Sequence, residues 1–180
     1  MTKEEIISAM EALNEVLSKK DVSGECCVYG GTVMCLAYDA RPATKDVDAV
    51  FAPTKEFREA IQEVSLSKGL DDNWLNDAVK GFLVPHPKEI YKEYSHLKLF
   101  IPSVEYLIAM KALAARLDTN DKDDLKFLIR KEKINLSETV FDLLMKYYPK
   151  AQIKAATRFF IEELFDEIKH EKTNPSGNEA

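Results

Sequence analysis

The 180-residue chain predicts an α/β (α+β) fold, a small mixed β-sheet flanked by helices with a helical C-terminal part, on three observations. Apolar segments of strand length occur at residues 25–29, 45–51 and 97–101, separated by stretches with helical periodicity. A Gly30-Gly31-Thr32 turn follows the first segment and opens a helical pattern, giving strand, tight turn and helix in succession. After Pro102 the apolar residues recur almost entirely at helical spacing.

The elements follow in order. Thr2 with Glu5 three residues later makes a capping-box start, and Ile6, Met10, Leu13 and Leu17 continue a first helix to Lys20. Residues 25–29 form the first strand, 32–38 the helix after the glycine turn, and 45–51 the second strand. Thr54 can cap a helix running to about Leu66, with Phe57, Ile61 and Val64 inward. Between Gly69 and Tyr94 the pattern is irregular: Trp74 and Leu75 suggest a short helix, Phe82 to Val84 a short apolar segment, and Pro85 and Pro87 a loop. Residues 97–101 are a third strand. Pro102 and Ser103 start a helix on which Lys111 shares a face with Val104, Leu107, Ile108 and Ala115. Past a turn at residues 118–120, Asp121 and Asp124 share a helix face with Leu125 and Leu128. Ser137 begins another helix, ended by Pro149, and residues 151–170 form a long amphipathic one. The expected organisation is an α/β core over 1–117, a helical part over 118–170 and a frayed tail over 171–180.

Composition narrows the classes of function. With 46% hydrophobic and 31% charged residues the chain builds one substantial core, and a formal charge of −6 argues against a protein that coats nucleic acid. Cys26, Cys27 and Cys35 are odd in number, lie in apolar surroundings and lack zinc-ligand spacing, so they read as reduced core thiols. The charged N-terminus does not resemble a signal peptide and no apolar stretch is long enough to span a bilayer, so no membrane role and a cytoplasmic location are expected. His86, His96 and His170 are scattered, which gives a histidine-based site little support.

Asp46 and Asp48 are the candidate chemical centre. On a strand they project to one face, about 6.5 to 7 Å apart, while Val47, Ala49 and Phe51 take the other. Paired carboxylates in apolar surroundings repel one another and need water, a base or a cation. Mg²⁺ suits such hard oxygen ligands and completes its shell with water and phosphate. The plainer alternative is that Asp46 caps a turn and Asp48 lies on a solvated face. Upstream, Gly30 and Gly31 allow backbone to approach a ligand closely, and Thr32 adds a hydroxyl donor. Arg41 and Lys45 flank the acids as triphosphate binders or as solvated loop charges. Lys111 either snorkels to the rim or reaches a nucleotide phosphate or a buried acid, for which Asp124 is the partner. Acids at Asp121 and Asp124 in a first helical turn also favour the helix dipole.

Gly30-Gly31-Thr32 with Arg41, Thr44, Asp46 and Asp48 resembles the G-[GS] … D-x-D signature of the DNA polymerase β-like nucleotidyltransferase superfamily. More narrowly, the chain is similar to small bacterial nucleotidyltransferase-like proteins related to abortive-infection and toxin–antitoxin nucleotidyltransferases. The resemblance runs from about Glu25 to Leu128 and includes Trp74-Leu75-Asn76-Asp77 and the later Lys111, Arg116, Asp121 and Asp124. It implies a Mg²⁺-dependent transfer of a nucleotidyl group from a nucleoside triphosphate to a hydroxyl of RNA or protein, with a possible cognate toxin or antitoxin as partner. Asp46 and Asp48 would be catalytic and hold the metal; Gly30, Gly31, Thr32, Arg41 and Lys111 would bind the nucleotide; Asp77, Asp121 and Asp124 would support. Asn76 and Asp77 are expected to line the cleft or to cap a helix. One departure stands out: catalytic members often carry a third carboxylate on a later strand, and residues 97–101 offer Lys98 instead. The alternative function is therefore a non-catalytic module that binds a nucleotide or a protein partner.

Overall fold

The computed structural model describes residues 1–114 and 120–173. The chain divides into two compact units, residues 1–103 and 104–180. The first is the α/β part. Helix α1, Lys3–Lys19, begins with both halves of the capping box: the Glu5 N–H donates to the Thr2 hydroxyl at 3.3 Å and the Thr2 N–H to the Glu5 carboxylate at 2.8 Å. After it come β1 (Gly24–Val28), α2 (Gly30–Leu36), β2 (Val47–Ala52), α3 (Thr54–Lys68), β3 (Leu75–Asn76), β4 (Lys88–Glu93) and β5 (Leu97–Pro102).

The mixed sheet has the order β3-β2-β1-β5-β4. Strand β1 runs antiparallel to β2, with Val28 opposite Ala49, and parallel to β5, with Cys26 opposite Leu99. Cys26, Val28, Val47, Ala49, Phe51, Leu97 and Leu99 occupy one face and are buried, with Phe51 stacked on Phe57 of α3 at 5.1 Å between ring centroids. Helices α1 and α3 pack on each other and on this face, so it is the unit's core. The opposite face carries Glu25, Cys27, Val50, Lys98 and Phe100, together with the two candidate aspartates. Chemistry and core thus take opposite sides of the same strands.

Several local expectations need correction. Helix α2 starts at Gly30, two residues before the expected position, and β2 starts at Val47, leaving Asp46 immediately ahead of the strand. Thr54 is the first residue of α3 and does not cap it; Pro53 holds the cap position without a side-chain bond. Leu75, expected in a short helix, forms the two-residue strand β3, parallel to β2. Trp74 explains why: its indole N–H donates to the Ile61 carbonyl at 3.2 Å, and its own carbonyl receives the Val47 N–H at 2.7 Å, which pulls the chain onto the sheet edge. Strand β4 falls inside the stretch that sequence left irregular. It is an edge strand, Lys-Glu-Ile-Tyr-Lys-Glu, whose outward charges mask the alternation an interior strand would show.

The second unit is helical: α4 (Val104–Ala114), α5 (Asn120–Lys131), α6 (Ser137–Tyr147) and α7 (Ala155–Thr173). Helix α4 packs on α5 and α6, and α7 packs on all three. The last helix starts at Ala155, after a 3-10 turn over Lys150–Gln152, and continues three residues past His170. Lys126 and Arg130 of α5 both donate to the Glu171 carboxylate, and Lys122 reaches Glu167 at 2.6 Å. These contacts keep the final turn helical. The rest of the expected tail, residues 174–180, and the expected positions of Ala115, Arg116 and Asp118 lie outside the described residues. Among the described residues no helix is long and apolar enough to cross a membrane.

Candidate active site

Asp46 and Asp48 alternate with the buried Val47 and Ala49 and are themselves half-buried on the sheet face away from α1 and α3. Three contacts fix Asp46. Its carbonyl accepts from the hydroxyls of Thr32 and Thr44, each at 3.2 Å, and its carboxylate accepts from the Asn76 amide at 3.3 Å. Asp48 lies directly across the ladder from the start of the glycine turn, and its carbonyl receives the Tyr29 N–H at 2.8 Å.

The glycines stand against these acids. Gly30 has φ +59°, a left-handed conformation that costs an L-residue about 1–2 kcal/mol, and a Cβ there would lie 3.3 Å from Asp48 Oδ2. A Cβ on Gly31 would lie 2.8 Å from Thr44 Oγ1 and 3.1 Å from an Arg41 guanidinium nitrogen. The missing side chains therefore let a carboxylate pack close against one glycine, and a threonine hydroxyl and a guanidinium against the other. Sequence spacing alone could not place Arg41 there; the segment from Ala37 folds back so that Cys35 Sγ bonds the Arg41 carbonyl at 3.2 Å. Thr32 is fully buried, and its hydroxyl is engaged with the Asp46 backbone.

Asn76 was expected to line the cleft or to cap a helix, and the fold supplies its partners. Parallel pairing sets it beside Asp48, and its amide serves Asp46 while its side-chain oxygen accepts from the Ala78 N–H at 3.1 Å. It lines the site and caps the following 3-10 turn at once. Asp77 instead forms an ion pair with Arg58 at 3.0 Å. Lys98, where a third acid was sought, pairs with Glu93 at 2.9 Å.

Lys111 belongs to the second unit. It is 4% exposed, and its ammonium lies 2.6 Å from Asp121 and 2.7 Å from Asp124, of which Asp124 is 2% exposed. The neighbouring acid expected from the two apolar stripes is present, joined by a second.

The donor set fits one hard divalent cation. Two carboxylates, one of them oriented by an amide, lie beside the glycine turn, which matches the one or two protein carboxylates Mg²⁺ ordinarily takes. Among the described residues no group of three or more His, Cys, Asp or Glu converges as a metal site.

A glycine turn held against two carboxylates at the edge of a small mixed sheet is the arrangement that the resemblance to nucleotidyltransferases leads one to expect. The chain belongs to the family described as a nucleotidyltransferase of unknown function (DUF6036), whose model matches residues 4–162. No curated protein and no solved structure matches it.

Proposed function

We propose that the chain binds a nucleoside triphosphate with Mg²⁺ at Asp46 and Asp48 and transfers its nucleotidyl group to a hydroxyl of RNA or protein, in the setting of a toxin–antitoxin or phage-defence system. One observation carries the proposal: Asp48 and the Arg41 guanidinium flank the Gly30-Gly31 turn at 3.3 and 3.1 Å of the added Cβ positions. A triphosphate needs just these neighbours, carboxylates for its cation, close backbone and a cation for its oxygens. Bound at the carboxylates, Mg²⁺ would neutralise charge on the phosphates. Asp46 and Asp48 hold it, Asn76 and Thr44 fix Asp46, and Gly30, Gly31 and Arg41 receive the phosphates. Thr32 acts by fixing the Asp46 backbone. Lys111, Asp121 and Asp124 support the helical unit, because the ammonium already meets two acids.

A second reading, a non-catalytic module that binds nucleotide or a protein partner, is favoured by the absence of a third acid at the pair among the described residues. Incubation with α-labelled and γ-labelled triphosphates plus total cellular RNA and protein separates the two. Transfer of the α-label alone, lost in Asp46→Asn/Asp48→Asn, is the expected result. Intact triphosphate binding with neither label transferred would replace it with the binding module.

A further inference from the structure

We infer that Tyr29 and His86 form the proton relay that activates the acceptor hydroxyl, taking the place of the missing third carboxylate; the inference rests on the nucleotidyl-transfer function proposed above. Tyr29 immediately follows β1. The ladder that pairs Val28 with Ala49 continues through the Tyr29 N–H bond to Asp48, which sets the Tyr29 side chain across from Asp48 on the site face. Its ring is buried and meets His86 edge-on, centroids 5.6 Å apart at 78°.

The hydrogen bonds assign the histidine's state. His86 Nδ1 lies 2.6 Å from the Val84 carbonyl, which can only accept, so Nδ1 carries a proton. In the neutral ring Nε2 then holds a lone pair, and Nε2 lies 3.2 Å from the Tyr29 hydroxyl, which donates to it. Tyr29, Cys27, Val50 and His86 line one cavity of about 280 Å³, with Glu25 and Lys88 at its edge. Val50 is the next same-face residue of β2 after Asp48, so the cavity adjoins the carboxylates along the strand. An acceptor hydroxyl seated in this cavity would meet the Tyr29 hydroxyl on the strand face that carries Asp48.

The step balances within these groups. The acceptor O–H gives its proton to the Tyr29 oxygen as the Tyr29 proton passes to His86 Nε2, leaving an imidazolium whose Nδ1–H stays on Val84. The acceptor oxygen forms its bond to the α-phosphorus, and the bond from that phosphorus to the bridging oxygen breaks, its electron pair leaving on pyrophosphate. A carboxylate base is not required.

Two variants test the relay: Tyr29→Phe, which keeps the ring, and His86→Ala. The rate of α-label incorporation into total cellular RNA and protein is measured beside the melting-temperature shift given by Mg²⁺ and triphosphate. Loss of a positioned proton acceptor typically costs 10²- to 10⁴-fold, so both variants should lose about that much rate, with KM for the triphosphate and the melting shift unchanged. Added imidazole should restore at least about tenfold in His86→Ala and nothing in Tyr29→Phe, a response a packing role would not give. Transfer by Tyr29→Phe at the wild-type rate, or His86→Ala that folds but is not rescued, overturns the relay while leaving nucleotidyl transfer standing. A wild type that binds triphosphate but transfers no label overturns both. If His86→Ala does not fold, the Tyr29→Phe rate decides.

Discussion

Replacing Lys111 by Met removes the ammonium while keeping the length and apolar stem of the side chain, so the loss isolates the charge. At 2.7 Å, the Lys111 and Asp124 charges attract by about 6 kcal/mol at an effective dielectric near 20. Withdrawing each ion from water costs several kcal/mol, so the intact pair comes close to break-even. Breaking it does not. With Lys111 gone, Asp124, 2% exposed, loses the ammonium at 2.7 Å, and one-sided losses of this kind run at roughly 3–5 kcal/mol. For a chain of this length that corresponds to a fall in melting temperature of roughly 6 to 20 °C. Asp121 is partly solvated, so Asp121→Asn should cost less than about 1 kcal/mol. Lys111→Met/Asp124→Leu removes both charges and should recover most of the single-variant loss. Urea titrations followed by far-UV circular dichroism measure these three variants and Asp124→Leu alone. If the single changes are neutral, or if the double change is the sum of its parts, the ion pair is not what holds α4 to α5.

Three further outcomes follow from the site and the core. Gly30→Ala should lower stability by about 1–2 kcal/mol through its left-handed backbone and weaken the Mg²⁺-dependent melting shift given by triphosphate, because the new Cβ meets Asp48. Asn76→Ala should weaken Mg²⁺ binding roughly tenfold in calorimetric titration, as loss of an outer partner of a metal ligand usually does, whereas Asn76→Asp, which adds a third acid beside Asp48, should strengthen it. Burial pushes the Cys26, Cys27 and Cys35 thiols above their usual 9.0, so the folded state keeps protons that the unfolded state releases. Their contribution to stability is therefore complete below pH 9 and declines as pH rises beyond it, and native thiols should react with iodoacetamide far more slowly than unfolded ones.

What sequence made legible was whatever repeats locally. The capping box at Thr2 and Glu5, the alternation through Asp46 and Asp48, and the glycine turn are all patterns over a few residues; the first is found as expected, and the other two with β2 starting at Val47 and α2 at Gly30. Strand β3 was not legible because two residues make no period; only the Trp74 anchor and the pairing with β2 create it. Strand β4 was hidden by the polar composition that protects an edge. The contacts of Asn76, Arg41 and His86 share this cause at the level of the site, although Asn76 and Arg41 were themselves candidates from the sequence. Each meets its partner through chain folding, Asn76 across 30 residues to Asp46 and His86 across 57 to Tyr29, and no spacing rule encodes such distances.

The central place of β1 also governs the order in which this sheet can be assembled. Its antiparallel partner β2 follows after one short helix, but its parallel partner β5 lies at the far end of the first unit, where Gly24 pairs with Leu97. Closing so long a stretch of chain is entropically slow, so the half of the sheet that carries the aspartates forms from nearby residues before the other half closes. Until then β1, Gly-Glu-Cys-Cys-Val, has one edge open and two thiols not yet sealed by their neighbours. The strand whose thiols are buried in the finished protein is thus open to oxidation and to mispairing while the chain is still being made.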